Sequence, residues 1–314
     1  MALCLIASTA EADDDWLGLP TPSDPKKSGA VLLHGGGRIS NDAFERFWQL
    51  AGGKQARIVL VPCAGFRVGD YDSEEDFLKA VSRRYGSWVG LKEKNWVKDF
   101  QFLYTDDPND ADDEKFVAAL ETATGVWFSG GDQTRLNYRF VGRFPKQTQF
   151  QRTLRGVLER GGVVGGTSAG MAALPEVITL REKYESSRSP AAAVGAHGFG
   201  LFNRAIVEQH FDGRGGRFER FANLLRDNEQ LDTLAGRVRA GEKMMGLAVE
   251  EGTALVAQAN RLEVLGTGSV HVFLKSGVGR SITWHELSSG DTAQLKRGVP
   301  NLVMLAREEI QLGR

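Results

Sequence analysis

The chain has 314 residues, enough for one large α/β domain or two small ones with a real core. Its 39 Lys and Arg against 40 Asp and Glu leave a formal net charge of -1, so there is no broad basic face for nucleic acid or an anionic membrane. Two cysteines, Cys4 and Cys63, without a CxxC pattern, and five scattered histidines exclude a disulfide framework, a Cys/His zinc cluster and an HExxH metal helix, so neither metal nor organic cofactor is expected.

Met1–Ala10 (MALCLIASTA) has a short apolar run and small residues in the manner of a secretory signal, but no positively charged start, and it is too short to span a bilayer. Residues 1–27 therefore read as a truncated export signal or a disordered leader with a proline-bearing linker, and cytoplasmic and exported locations both stay open. Residues 28–314 read as one α/β domain. Ala30–Leu33 is an apolar run ending in His34-Gly35-Gly36-Gly37, Asn41-Asp42 can cap an amphipathic helix through Leu50, and Ile58–Val61 is a second apolar run stopped by Pro62. This is a βαβ unit, and its continuous apolar strands predict a parallel sheet covered on both faces. Phe66–Asp99, charged and aromatic, reads as a helix plus an excursion outside the core. A strand at Phe100–Tyr104 and a helix at Asp113–Thr122 follow, then a buried strand at Val126–Phe128 that runs into Ser129-Gly130-Gly131-Asp132-Gln133.

The helix expected at Gln149–Glu159 leads into Gly161–Leu174 (GGVVGGTSAGMAAL), a strand that delivers Ser168 onto a tight strand-to-helix turn. A nucleophile held at such a turn needs neighbours without a Cβ, and the N–H groups of the helix that follows face the place where an oxyanion would form. The bland alternative is a glycine-rich turn in which Ser168 caps the helix. Arg181–Pro190 reads as a polar surface loop. Ile206-Val207 then leads to Glu208-Gln209-His210-Phe211, followed by Arg214, Arg217 and Arg220, a helix through Arg226 and a charged insertion to Lys243. Short strands at Leu247–Val249, Thr253–Ala257, Leu262–Leu265 and Val270–Phe273 finish the pattern, with connections too short for parallel crossovers, so antiparallel pairs are expected there.

A serine is a weak nucleophile until a base takes its proton, and that base is usually a histidine oriented by a carboxylate. His210 at a strand end is the candidate base, and Glu250 or Glu251 at the end of another strand the candidate acid. The arginine series at a spacing of three lies along one helical face, which on its own reads as a solvated stripe. His34, His197 and His271 read as structural or surface histidines.

Taken together, GGDQ at Gly130–Gln133, GTSAG at Gly166–Gly170, EQHF at Glu208–Phe211 with its following arginines, and GLAVEEGTALV at Gly246–Val256 resemble the cyanophycinase and aspartyl dipeptidase (peptidase E) family of serine peptidases. The resemblance covers most of the chain from Val31 to Phe273. It implies a doubly wound, mostly parallel sheet similar to class I glutamine amidotransferases, flavodoxin-like, with C-terminal antiparallel strands. It also implies Ser168 as nucleophile, His210 as base, Glu251 as the acid that holds the base, and the N–H groups of Gly131 and Ala169 as the oxyanion hole. Gln133, Glu208, Gln209, Arg214, Arg217 and Arg220 match substrate-pocket positions. Two details depart from the family: Glu208 stands where Asp is usual, and one extra residue separates the first two arginines. The implied activity is release of β-aspartyl-arginine from cyanophycin, a polymer of aspartate carrying arginine on its side chains. An aspartyl dipeptidase or an inactive binding module are the alternatives. The expected partner is a peptide or cyanophycin-like polymer, with a homodimer possible.

Overall fold

The computed structural model describes residues 17–24, 27–180, 194–211, 217–226, 234, 245–275, 282–296 and 301–305. Most of the leader, the loop at Arg181–Pro190, Arg214 and nearly all of the insertion from Asp227 to Lys243 lie outside the described residues.

Five strands form the parallel half of the main sheet: β1 (Ala30–His34), β2 (Arg57–Val61), β3 (Asp99–Phe102), β4 (Gly125–Phe128) and β5 (Val163–Thr167), side by side in the order β1-β5-β4-β2-β3. Successive side chains of a strand point to opposite faces. Val31, Leu33, Val59, Val61, Val126, Phe128 and Val164 accordingly share one core with Val117 and Leu120 of α4 (Glu114–Thr122), Leu136 and Phe140 of α5 (Gln133–Phe140), and Phe150 and Leu154 of α6 (Gln149–Glu159). Ala30, Leu32, Ile58, Leu60, Trp127 and Val163 face the other way. They pack on Phe47 of α1 (Asn41–Leu50) and on Trp88 and Leu91 of α3 (Gly86–Glu93). Helices on both faces make the sheet doubly wound, as the continuous apolar runs imply.

The later strands pair antiparallel. β10 (Thr253–Gln258) joins the edge of β1, and β11 (Arg261–Gly266), β14 (Thr292–Lys296) and β15 (Asn301–Leu305) extend it to nine strands. A second sheet runs β13-β12-β9-β8, built from β8 (Ala205–Glu208), β9 (Met245–Val249), β12 (Ser269–Lys275) and β13 (Ile282–Ser288); within it β8 and β9 are parallel. Helix α8 (Arg217–Arg226) packs Phe221, Leu224 and Leu225 against that sheet.

Two sequence expectations change. Phe66–Asp99 holds two helices, α2 (Glu74–Arg84) and α3, and it is not outside the core: Phe77, Val81, Trp88, Leu91 and Val97 are buried, because its aromatic and aliphatic residues recur at helical spacing among the charges. The small antiparallel pair β6 (Val177–Leu180) and β7 (Val194–His197) and the strands β13 to β15 were not anticipated, being short segments without strong alternation.

Candidate active site

Strand β5 ends at Thr167, and the backbone amide of Ser168 still donates to the His34 carbonyl at 2.9 Å, so the serine is tied to the strand end. It then turns sharply, with φ 53° and ψ -120°, a conformation few residues other than glycine adopt and one that costs on the order of 1–3 kcal/mol. Helix α7 (Ala169–Ala172) follows at once and is only one turn long. A macrodipole of any size is therefore absent here, and what this turn offers an oxyanion is its first-turn N–H groups, Ala169 among them, which have no partner inside the helix. Ser168 does not cap the helix. Its Oγ lies 2.6 Å from His210 Nε2.

His210 follows β8 and also has a positive φ, 51°. Its backbone amide donates to the Gly35 carbonyl at 2.8 Å, and its Nδ1 lies 2.5 Å from Glu251 Oε1. A carboxylate can only accept, so Nδ1 carries the proton and Nε2 is left to accept from the serine hydroxyl. Glu251, and not Glu250, faces the histidine. Glu250 instead accepts from His271 Nε2 at 2.8 Å and from the Ser269 amide at 2.9 Å, joining β9 to β12. His210 is nearly buried and the Glu251 side chain is 41% exposed, so the acid reaches in from the rim. The chain of groups can pass a proton from Ser168 to His210 while the carboxylate balances the imidazolium.

Two glycines make this arrangement possible. Gly36, at φ 124°, lies flat against the His210 ring: a Cβ there would sit 2.2 Å from Cε1. Gly131, at φ 147°, passes so close to Ala64 that a Cβ would meet its carbonyl oxygen at 2.1 Å, and Gly130 beside it packs on the Ser168 side chain. Gly36→Ala is expected to push the imidazole off its line and to lower kcat about 100-fold, the usual consequence of an ångström of misplacement. Steady-state kinetics alongside far-UV circular dichroism checks this, and wild-type turnover in a folded variant would remove Gly36 from the argument.

The remaining polar positions split into two groups. Gln133 starts α5 behind the Asp132 N-cap, and its Nε2 donates to the Thr179 carbonyl of β6 at 3.1 Å. Gln209 is buried, with no partner for its Oε1 among the described residues. Glu208, Arg217 and Arg220 are brought together, but on one another. Arg217 Nη1 donates to Glu208 Oε1 and, at 2.5 Å, to the Gln209 carbonyl, while Arg220 Nη2 lies 2.7 Å from Glu208 Oε2. The arginine spacing does define one face of α8, yet this face is not solvated: the Arg217 side chain is 3% exposed and Glu208 fully buried, because a buried carboxylate needs cations and draws both guanidiniums inward.

His34, at the end of β1, is also fully buried, and its Nδ1 lies 2.7 Å from Thr167 Oγ1, one residue before the serine. Burial pushes its pKa down to about 4, with His210 as a nearby like charge. An unfolded His34 takes up a proton as pH falls below about 6.5, whereas the folded one resists until near 4, so stability falls with pH across that window. His34 is expected to contribute a loss on the order of 3 kcal/mol between pH 7 and 4. Denaturant unfolding at both pH values should show a smaller loss for His34→Gln; equal losses would contradict this. His197 stacks on Phe144 with ring centroids 4.1 Å apart, and His271 is tied to Glu250.

A cleft of about 950 Å³ opens from Ser168, Thr167 and Gly130 towards α1, α2 and α3. Its far walls come from the aromatic Phe66–Asp99 segment, which the sequence pattern alone did not connect to Ser168.

Residues 31–265 match the model of peptidase family S51. The chain is 29% identical over 227 residues to a cyanophycinase of Synechococcus elongatus, covering 72% of this chain and 61% of that protein, so the match spans about three fifths of that relative. It is 27% identical over 248 residues to a cyanophycinase of Geminocystis herdmanii, covering 77% of this chain and 79% of that protein. Among solved structures, a peptidase from an acI-B1 Actinobacterium superposes with a TM-score of 0.56 at 21% identity, over 85% of this chain and 97% of that one, which is a likeness of fold. With the family match running through all the strands of the parallel half-sheet and through the Ser168, His210 and Glu251 positions, the chain belongs to peptidase family S51.

Proposed function

We propose that this peptidase releases β-aspartyl-arginine units from cyanophycin, with Ser168 as nucleophile. The observation that carries the mechanism is the continuous chain from Ser168 Oγ through His210 to Glu251, at 2.6 and 2.5 Å. His210 Nε2 takes the hydroxyl proton as Oγ attacks the scissile carbonyl, and Glu251 holds the resulting imidazolium. The N–H groups of Ala169 and Gly131 receive the oxyanion from two sides of the turn. His210 then hands its proton to the leaving amine, the acyl-enzyme remains on Ser168, and a water activated by the same histidine releases it. Support for the substrate is the cyanophycinase name shared by curated relatives at 25–29% identity. A cleft that continues well beyond the serine suits a polymer better than a dipeptide.

In this reading Gln133 and Gln209 present amides near the scissile bond, and Arg214 belongs with them as a pocket position. Glu208, Arg217 and Arg220 shape the pocket by fixing the backbone that carries His210. The test is incubation of the purified protein with insoluble cyanophycin and, separately, with Asp-X dipeptides, with products identified by mass. β-Aspartyl-arginine from the polymer is the expected product. Cleavage of the dipeptides alone would make this an aspartyl dipeptidase, and no cleavage of either would remove both substrates.

A further inference from the structure

The cleft that leaves Ser168 has an unusual lining. Its aromatic walls are Phe44, Phe66, Tyr85, Trp88, Trp96 and Trp127; its charged residues are Arg38, Arg84 and Lys94; and not one Asp or Glu contributes. In a chain with almost equal numbers of acids and bases, a wall with three cations and no carboxylate is a local separation of charge. The three cations have no ion-pair partner among the described residues. Lys92, two residues from Lys94, is by contrast matched to Asp99 at 2.8 Å. Exposed cations left unmatched beside a concave apolar surface form a site whose complement is anionic.

The aromatic part is held in place before any ligand arrives. The Trp96 carbonyl accepts from Trp48 Nε1 at 2.9 Å, and Lys94 Nζ stands 5.3 Å from the Trp96 ring centroid, although the Trp96 side chain is largely exposed. Trp88 packs edge-on against Phe44 and tilted against Trp127, so the floor cannot collapse. With the main chain beneath it fixed, the exposed Trp96 indole offers a face to an alkyl or guanidinium group. The volume, about 950 Å³, lies at the upper end of the range for small-ligand sites, more than a single released dipeptide unit fills.

We propose that this cleft binds the substrate chain beyond the unit being released: Arg84 and Lys94 take carboxylates of the neighbouring units, with Trp96 and Tyr85 as stacking surfaces. The inference rests on the cyanophycin reading for the identity of those units, but its charge requirement applies to any peptide carrying carboxylates at intervals. It makes the peptidase selective for long, acid-bearing chains through residues outside the Ser168–His210–Glu251 relay.

The experiment compares the wild type with the exposed double variant Arg84→Glu/Lys94→Glu on a β-aspartyl-arginine dimer and tetramer. For the tetramer KM should rise about tenfold while kcat stays within about twofold, and for the dimer both should stay within about twofold, since it has no units to reach the far wall. A tetramer KM that rises less than about twofold, or a dimer KM that rises equally, overturns the proposal. If the wild type cleaves neither compound, the cyanophycin reading has failed on its own, and calorimetry of hexa-aspartate on Ser168→Ala then decides the cleft. Binding weakened about tenfold by the charge reversal upholds it; no binding, or binding the reversal leaves unchanged, overturns it.

Discussion

Ser168→Ala should abolish turnover, by four or more powers of ten in kcat on the order seen for loss of a catalytic serine, and leave the fold intact. The substitution keeps the Cβ that packs on Gly130 and the backbone amide bonded to His34, and it removes only the oxygen that faces His210. Because the hydroxyl does not cap α7, no helix stability is withdrawn with it. Single-turnover assays with far-UV circular dichroism and thermal unfolding on the same preparation measure both halves. A folded variant that still turns over at the wild-type rate would take Ser168 out of the mechanism.

The second large effect is expected at Glu208. Removing this buried carboxylate in Glu208→Ala takes away the acceptor that Arg217 and Arg220 share, and breaking a buried ion-pair cluster in this way typically costs about 3–5 kcal/mol. Arg217 also bonds the Gln209 carbonyl, so it fixes the peptide unit that sets the left-handed conformation of His210. Loosening it should lower kcat along with stability, and should raise KM little. Arg217→Lys should behave as a milder version, because an ammonium cannot reproduce a guanidinium that spans two acceptors. Denaturant unfolding and steady-state kinetics together distinguish this from direct substrate contact, in which KM would rise while stability stayed at the wild-type value.

The parts of the molecule legible from sequence are those where a local rule leaves few options. Short continuous apolar runs bounded by glycine, such as Ala30–Leu33 and Val126–Phe128, fit strands covered on both faces, and the glycines at 166 and 170 mark a turn around Ser168 where an added Cβ would meet backbone. What the sequence left ambiguous depends on contacts across long separations. Whether Glu250 or Glu251 serves His210 is decided by which of two adjacent residues follows the β9 direction towards β12 and which turns back, and neighbouring identical residues carry no signal of that. The inward turn of Arg217 and Arg220 depends on burial of Glu208 nine residues earlier. A helical stripe of arginines looks the same in a sequence whether it faces water or a buried acid. The cradle that Gly36 makes for His210 joins residues far apart in the chain and meets only in three dimensions.

The parallel pairing of β8 with β9 sets Glu208 opposite Ala248; His210 lies two residues past the first and Glu251 three past the second. The separation of base and acid is thus written in the inter-strand hydrogen bonds of β8 and β9. A slip of β8 against β9 by a single residue would therefore shift the base relative to the acid even with every side chain of the relay unchanged.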